Sequence, residues 1–167
     1  MKNISRILTI VGIITMVVLS FLSCDREAKD KEQIEQLKGK AVDTLIIGSN
    51  SFVLDAFLWR DFMPISPKDG KPMIAINWLI STGSVKIPDN ISMVKQYVIY
   101  KNEIWEADYE NEDPAPSLPE YKMERISRNG PKWGPNIYVD VISKIHNSKT
   151  NKDYYIERKN VYVARTD

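Results

Sequence analysis

From Thr44 onward, apolar residues fall in short runs that alternate with polar ones, and clusters of Pro, Gly, Asn and Asp separate the runs. That is the punctuation of strands and turns. In "MIAINWLIST", Ile74, Ile76, Trp78 and Ile80 share one phase of a period-two pattern. This phase, Trp78 included, is expected to face the core, as is Trp59. "NIYVDVISKI" alternates in the same way, with Ile137, Val139, Val141 and Ile145 on one side and Tyr138, Asp140, Ile142 and Lys144 on the other. Such half-buried alternation predicts antiparallel strands.

Counting these runs predicts strands near 44–47, 51–62, 72–82, 93–101, 103–109, 121–128, 136–146 and 153–164. Lys101 and Asn102 occupy a hairpin position, and residues 146–153 read as a longer hairpin loop. Glu110 to Glu120 carries Pro114, Pro116 and Pro119. Prolines cannot lie in a central strand, so this segment is expected to cross from one sheet to another. Seven or eight short strands in roughly 120 residues predict an all-β, antiparallel β-sandwich.

"RNGPKWGPN", Arg128 to Asn136, places two Gly-Pro pairs around Trp133 and leads into "IYVDVISKI". This resembles the turn-then-long-strand entry of late strands in bacterial immunoglobulin-like and fibronectin-type domains. The resemblance spans roughly the last 45 residues and implies an immunoglobulin-like fold without transferring any catalytic residue.

The N-terminus follows a different pattern. Lys2 and Arg6 precede an apolar stretch, Ile7 to Leu22, interrupted by Thr9, Gly12, Thr15 and Ser20. This is the layout of a secretory signal. As a helix the stretch would reach about 24 Å, short of a hydrocarbon core of about 30 Å. "FLSC", Phe21 to Cys24, resembles the lipobox of bacterial lipoproteins, with Phe21 in place of the usual Leu and Leu22 in place of Ala or Ser. Loose matches of this kind occur in the Bacteroidetes group. The resemblance implies that Cys24 takes a diacylglycerol and becomes the first residue of the mature protein. A membrane anchor in the bacterial cell envelope, with the outer membrane as its site, is the implied localisation.

Asp25 to Lys40 is charged or polar except for Ile34 and Leu37, and it is expected to be a solvated tether, able to form a short helix but with little to bury. Acidic residues after the cysteine resemble a surface-export signal, whereas Asp25 beside it resembles an inner-membrane retention signal. Both stay open. The expected organisation is a signal peptide over 1–23, a lipidated tether over 24–43 and a β-sandwich over 44–167.

Charge narrows the function classes. Of 23 Lys and Arg, removal of Lys2 and Arg6 leaves 21 against 22 Asp and Glu, a net charge of −1 after cleavage. No field to recruit nucleic acid follows. The single cysteine leaves no disulfide within the chain, so stability must come from burial.

Candidate chemistry is sparse. His146 is the only histidine, without the second histidine or cysteine of a tetrahedral zinc site and without a Gly-x-Ser-x-Gly elbow. Glu103, Glu106, Asp108, Glu110, Glu112 and Asp113 could offer oxygens to calcium, though their spacing is not that of an EF-hand. A solvated edge strand that resists aggregation explains the same charges. Trp105 and Trp133, with Tyr109 and Tyr121, are candidates to stack on sugar rings, and core packing is their competing role. No metal or cofactor is expected. The sequence thus points to a non-enzymatic envelope lipoprotein that binds a partner protein through strand edges or the Trp133 loop. Carbohydrate binding through the four aromatics is the alternative.

Overall fold

The computed structural model describes residues 28–110 and 117–167. The expected signal peptide and Cys24 lie outside the described residues. A helix, α1, covers residues 28–40. Nine strands follow: β1 (Ala41–Val42), β2 (Thr44–Ile47), β3 (Asn50–Asp61), β4 (Met73–Ser81), β5 (Ile91–Tyr100), β6 (Glu103–Asp108), β7 (Lys122–Gly130), β8 (Ile137–Asn147) and β9 (Lys152–Thr166). The eight runs read from the sequence correspond to β2 through β9.

The strands form one curled sheet in the order β6-β5-β8-β9-β3-β4-β7, with β1 beside β9 and β2 beside β3. Its pairing corrects the expectation of a purely antiparallel fold. β1 and the end of β3 both run parallel to β9, in registers that include Ala41↔Tyr155 and Leu58↔Val163. The cause is that β3 and β9 point toward the same end of the molecule where they meet. The curl brings the two ends of the strand order together: the Glu110 N–H donates to the Ile126 carbonyl at 2.8 Å, and Ser127 Oγ donates to the Asp108 carbonyl at 3.2 Å. Gly130 lets the Trp105 ring close over this junction, since a Cβ there would lie 2.7 Å from the indole.

The concave side holds the main core, with Phe52, Leu54 and Leu58 of β3 facing Val98, Val141, Ile145, Ile156 and Val163. In β4 the buried phase is Met73, Ala75, Asn77, Leu79 and Ser81, the opposite of the one expected. Ile74, Ile76, Trp78 and Ile80 lie half-buried on the outer surface. Trp59 is outward too, stacked on Phe57 at 5.4 Å between ring centroids. Both phases of β4 contain apolar residues, and the tight concave side takes the one with the smaller Ala75 and Ser81.

β8 keeps its expected phases, with Val139, Val141 and Ile145 in the core, yet Ile142 on the other side is also buried. Helix α1 explains this. Its Ile34 and Leu37, three residues apart and so on one face, pack with Tyr97, Ile99 and Ile142 on the convex side. The segment expected to be a solvated tether is therefore docked. Gln33 Nε2 donates to Glu106 at 2.9 Å, and the Lys38 ammonium meets Asp140 at 2.8 Å. A helix this short is marginal alone in water. Burying two such side chains contributes about 3–5 kcal/mol, which is what holds it.

Candidate functional site

The convex surface is apolar in two places, and α1 covers one of them. The other, formed by β3, β4 and β7, carries Phe57, Trp59, Ile74, Ile76, Trp78 and Ile80 and is not covered by α1. Phe57 is 45% exposed. Two charged residues of β7 frame Trp78: Glu124 accepts its indole N–H, and the Lys122 ammonium stands 4.4 Å from the ring centroid. Farther round the convex surface, Tyr138 and Tyr162 pair at 5.5 Å, 58% and 45% exposed. The Tyr162 hydroxyl donates to Asn136 Oδ1 at 2.5 Å. A surface that combines the exposed rings of Phe57, Tyr138 and Tyr162 with half-buried Trp59 and Trp78 is of the kind that binds.

A second feature is built at the end of the molecule where β3 stops and β4 begins. Arg60 continues the inward phase of β3 and is buried. Its guanidinium donates to the carbonyls of Lys71, Lys132 and Gly134, each at 3.0 Å, and to that of Asp69. One side chain thereby ties the 62–72 loop to the 131–136 loop. Lys132 also meets Asp69 at 2.6 Å. The guanidinium carbons of Arg60 and Arg165 lie 5.0 and 4.2 Å from the centroid of Phe62, and Gly70 at φ +74° leaves room for that ring, since a Cβ there would lie 2.6 Å from it.

Above this base the 62–72 loop makes two consecutive turns, closed by Ser66 N–H to the Met63 carbonyl at 2.7 Å and Gly70 N–H to the Pro67 carbonyl at 2.8 Å. Pro64 sets φ for the first turn. At its apex Met63 is 50% and Ile65 91% exposed. Burying both would contribute about 3 kcal/mol. The sequence held a sign of this site: Arg60 is a charge on the buried phase of a strand, and "MPISP" sets Ile65 between two prolines with Met63 just before the first.

The residues singled out from the sequence are dispersed. Trp133 sits in the stapled 131–136 loop, 5.7 Å from Tyr100 between centroids, and its indole N–H donates to Glu103 at 2.7 Å. Trp105 is at the same end, partly buried against Gly130 and the core. Tyr109 donates its hydroxyl to Ser143 at 2.9 Å, and burial pushes its phenol well above the ordinary tyrosine range. Tyr121 lies at the opposite end, its carbonyl accepting from Ser81 N–H at 2.9 Å. These four aromatics form no common platform.

The acidic residues of β6, and Glu110 just after it, are each engaged. Glu106 binds Lys95 at 2.5 Å as well as Gln33, Asp108 lies 3.5 Å from Lys95, and Glu110 lies 3.4 Å from Arg128. Among the described residues no group of three or more His, Cys, Asp or Glu is disposed to hold a metal; Glu112 and Asp113 lie outside them. His146 Nδ1 and the Lys144 ammonium share Asp153, at 2.8 and 2.7 Å. A cavity of about 350 Å³ opens beside β7, walled by Ile87, Leu118, Met123 and Arg125 among others. Lys86, also in its wall, lies 3.6 Å from both Asp89 and Glu120.

No protein-family model, curated protein or solved structure matches the chain. Among the described residues no helix is long and apolar enough to cross a membrane, which says nothing of a β-barrel.

Proposed function

We propose that this chain is a lipid-anchored lipoprotein of the bacterial cell envelope, held by an acylated Cys24, and that its domain is a non-enzymatic binding module with an immunoglobulin-like topology. The strand order supports the topology. β3, β4 and β7 are neighbours, as are β6, β5, β8 and β9, and the β4–β5, β6–β7 and β7–β8 connections pass between the two groups, as in Greek-key sandwiches. The anchor is supported by the lipobox-like Phe21 to Cys24 at the end of the apolar run.

The observation that carries the binding role is the half-buried apolar face of β3, β4 and β7, which α1 leaves uncovered and on which Phe57 is exposed, set against the matching face that α1 covers. An envelope protein is the partner such a face suits. Placing a photo-crosslinking amino acid at Phe57 in growing cells tests this. A discrete adduct that is lost when Trp59 is changed to Lys is expected. An adduct-free Phe57, with a control probe at Val94 equally silent, would remove the partner. Intact-mass analysis of the membrane fraction tests the anchor: the wild type carries acyl mass and begins at Cys24, and Cys24→Ala does not.

The exposed Tyr138 and Tyr162 pair favours carbohydrate as the second reading, on different aromatics from those picked out in the sequence. Tyrosine fluorescence unresponsive to a glycan panel would sink it.

A further inference from the structure

Arg125 faces into the molecule. It lies directly opposite Asn77 in the β4–β7 ladder, and residues directly opposite in an antiparallel pair share one side of the sheet. Asn77 is on the buried side, so Arg125 is too, while its neighbour Glu124 takes the outer side with Trp78. A guanidinium carries five N–H donors and stays charged in proteins. The one hydrogen bond of Arg125 among the described residues runs from Nη1 to the Glu124 carbonyl at 2.7 Å, and none of their carboxylates pairs with it.

The polar groups beside it leave that charge unanswered. Asn77, Gln96 and Ser143 form a polar level across the core, with Tyr109 bonded to Ser143. All four are neutral. Burial keeps the Tyr109 phenol protonated well above its ordinary range, against the opposite pull of Ser143 and Arg125, so it supplies no anion. Asn77 Oδ1 and Gln96 Nε2 are themselves without partners.

Arg125 is also part of the wall of the cavity of about 350 Å³, whose apolar part is Ile87, Leu118 and Met123. The other charges of that wall are taken. Lys122 stands over Trp78 and Glu124 accepts from it, and Lys86 lies 3.6 Å from both Asp89 and Glu120. The side chains of those two acids are 91% and 75% exposed, which puts them at the solvent edge of the cavity and not against the inward Arg125.

We infer that this cavity binds a small monocarboxylate with an apolar body, the carboxylate on Arg125 and the body on Ile87, Leu118 and Met123. Neither the partner-binding face nor the lipid anchor is needed for it. A carboxylate matches the guanidinium fork with two parallel hydrogen bonds, which strengthen where water is excluded. The volume lies at the low end for ligand sites, which suits a small molecule. Asp89 and Glu120 at the edge repel a second negative charge, which sets a monocarboxylate above a dicarboxylate or a phosphate.

The test uses the full chain in nanodiscs of phosphatidylcholine, with empty nanodiscs as the blank, and a para-fluorinated phenylpropanoate as the probe, followed by fluorine NMR. Line broadening that saturates at about millimolar probe is expected. Arg125→Gln should weaken binding about tenfold or more, and so should exchanging the probe for its neutral amide. Arg125→Lys should restore part of the loss. Leu118→Glu lies outside the strands and sets a negative charge in the wall, so it should abolish binding without disturbing the ladder.

Broadening equal for the acid and its amide, or equal in wild type and Arg125→Gln, would overturn the site, because apolar adsorption alone would account for it. Binding undiminished in Leu118→Glu would overturn it as well, and this arm decides the matter if Arg125→Gln does not fold. So would an absence of broadening at millimolar probe, or tighter binding of the corresponding phenethylamine, which would assign the cavity to its acidic edge.

Discussion

Asn77 donates its side-chain amide to Gln96 Oε1 at 2.6 Å in the middle of the molecule, where both residues are wholly buried. β4 is thereby joined to β5 across the core by a polar contact instead of an apolar one. Each amide keeps one atom without a partner, Asn77 Oδ1 and Gln96 Nε2. Removing one amide leaves the other stranded, so Asn77→Ala should cost about 1–3 kcal/mol in urea unfolding. The double change Asn77→Leu with Gln96→Leu should cost less than that single one. A double variant less stable than Asn77→Ala would mean that the pair contributes more than its desolvation takes away.

Arg60 gives a second, larger effect. Replacing it with Met keeps the apolar stem but strips four carbonyls of their donor, and a loss of about 2–4 kcal/mol is expected. Amide exchange should accelerate in both the 62–72 and 131–136 loops. Exchange that rises in one loop alone would show that the staple is not what couples them.

Leu37→Ala tests the docking of α1. Truncating this buried side chain should cost about 2–3 kcal/mol and release the helix before the sheet unfolds. Far-UV circular dichroism together with exchange at residues 28–40 would report it. An unchanged exchange rate there would mean that the polar contacts of Gln33 and Lys38 hold the helix without the apolar face.

Acid should weaken the β8–β9 hairpin. Hydrogen bonds from Lys144 first and His146 second hold the Asp153 carboxyl below its ordinary value of 3.8. As pH falls toward that value the folded chain binds fewer protons than the unfolded one. The contribution of Asp153 is therefore complete above about pH 4 and is lost as pH drops through the folded pKa. Urea midpoints across this range should fall less steeply in Asp153→Asn than in the wild type. Parallel curves would assign the acid limb to other carboxylates.

Much of the fold was legible. Alternation marked β2 through β9 because a half-buried strand leaves a period-two trace, and the 101–102 and 148–151 turns were marked by polar residues between such runs. The inward side of β4 was not legible, since Ile74 and Ile80 mark one phase and Met73 and Leu79 the other, and local sequence cannot rank two apolar faces. The four candidate aromatics were chosen for lying near loops, but closeness to a loop says nothing of which way a ring turns. Trp105 turned over Gly130, and Tyr109 toward Ser143.

The sequence by itself determined β2 through β9, the turns between them and the balance of charge, because each is written in neighbouring residues. Tertiary structure decided the parallel contact of β3 with β9, the docking of Ile34 and Leu37, the outward turn of Trp59 and Trp78, and the four carbonyls gathered round Arg60. All of these depend on residues dozens of positions apart, whose meeting is set by the curl of the sheet and by competition for its concave side.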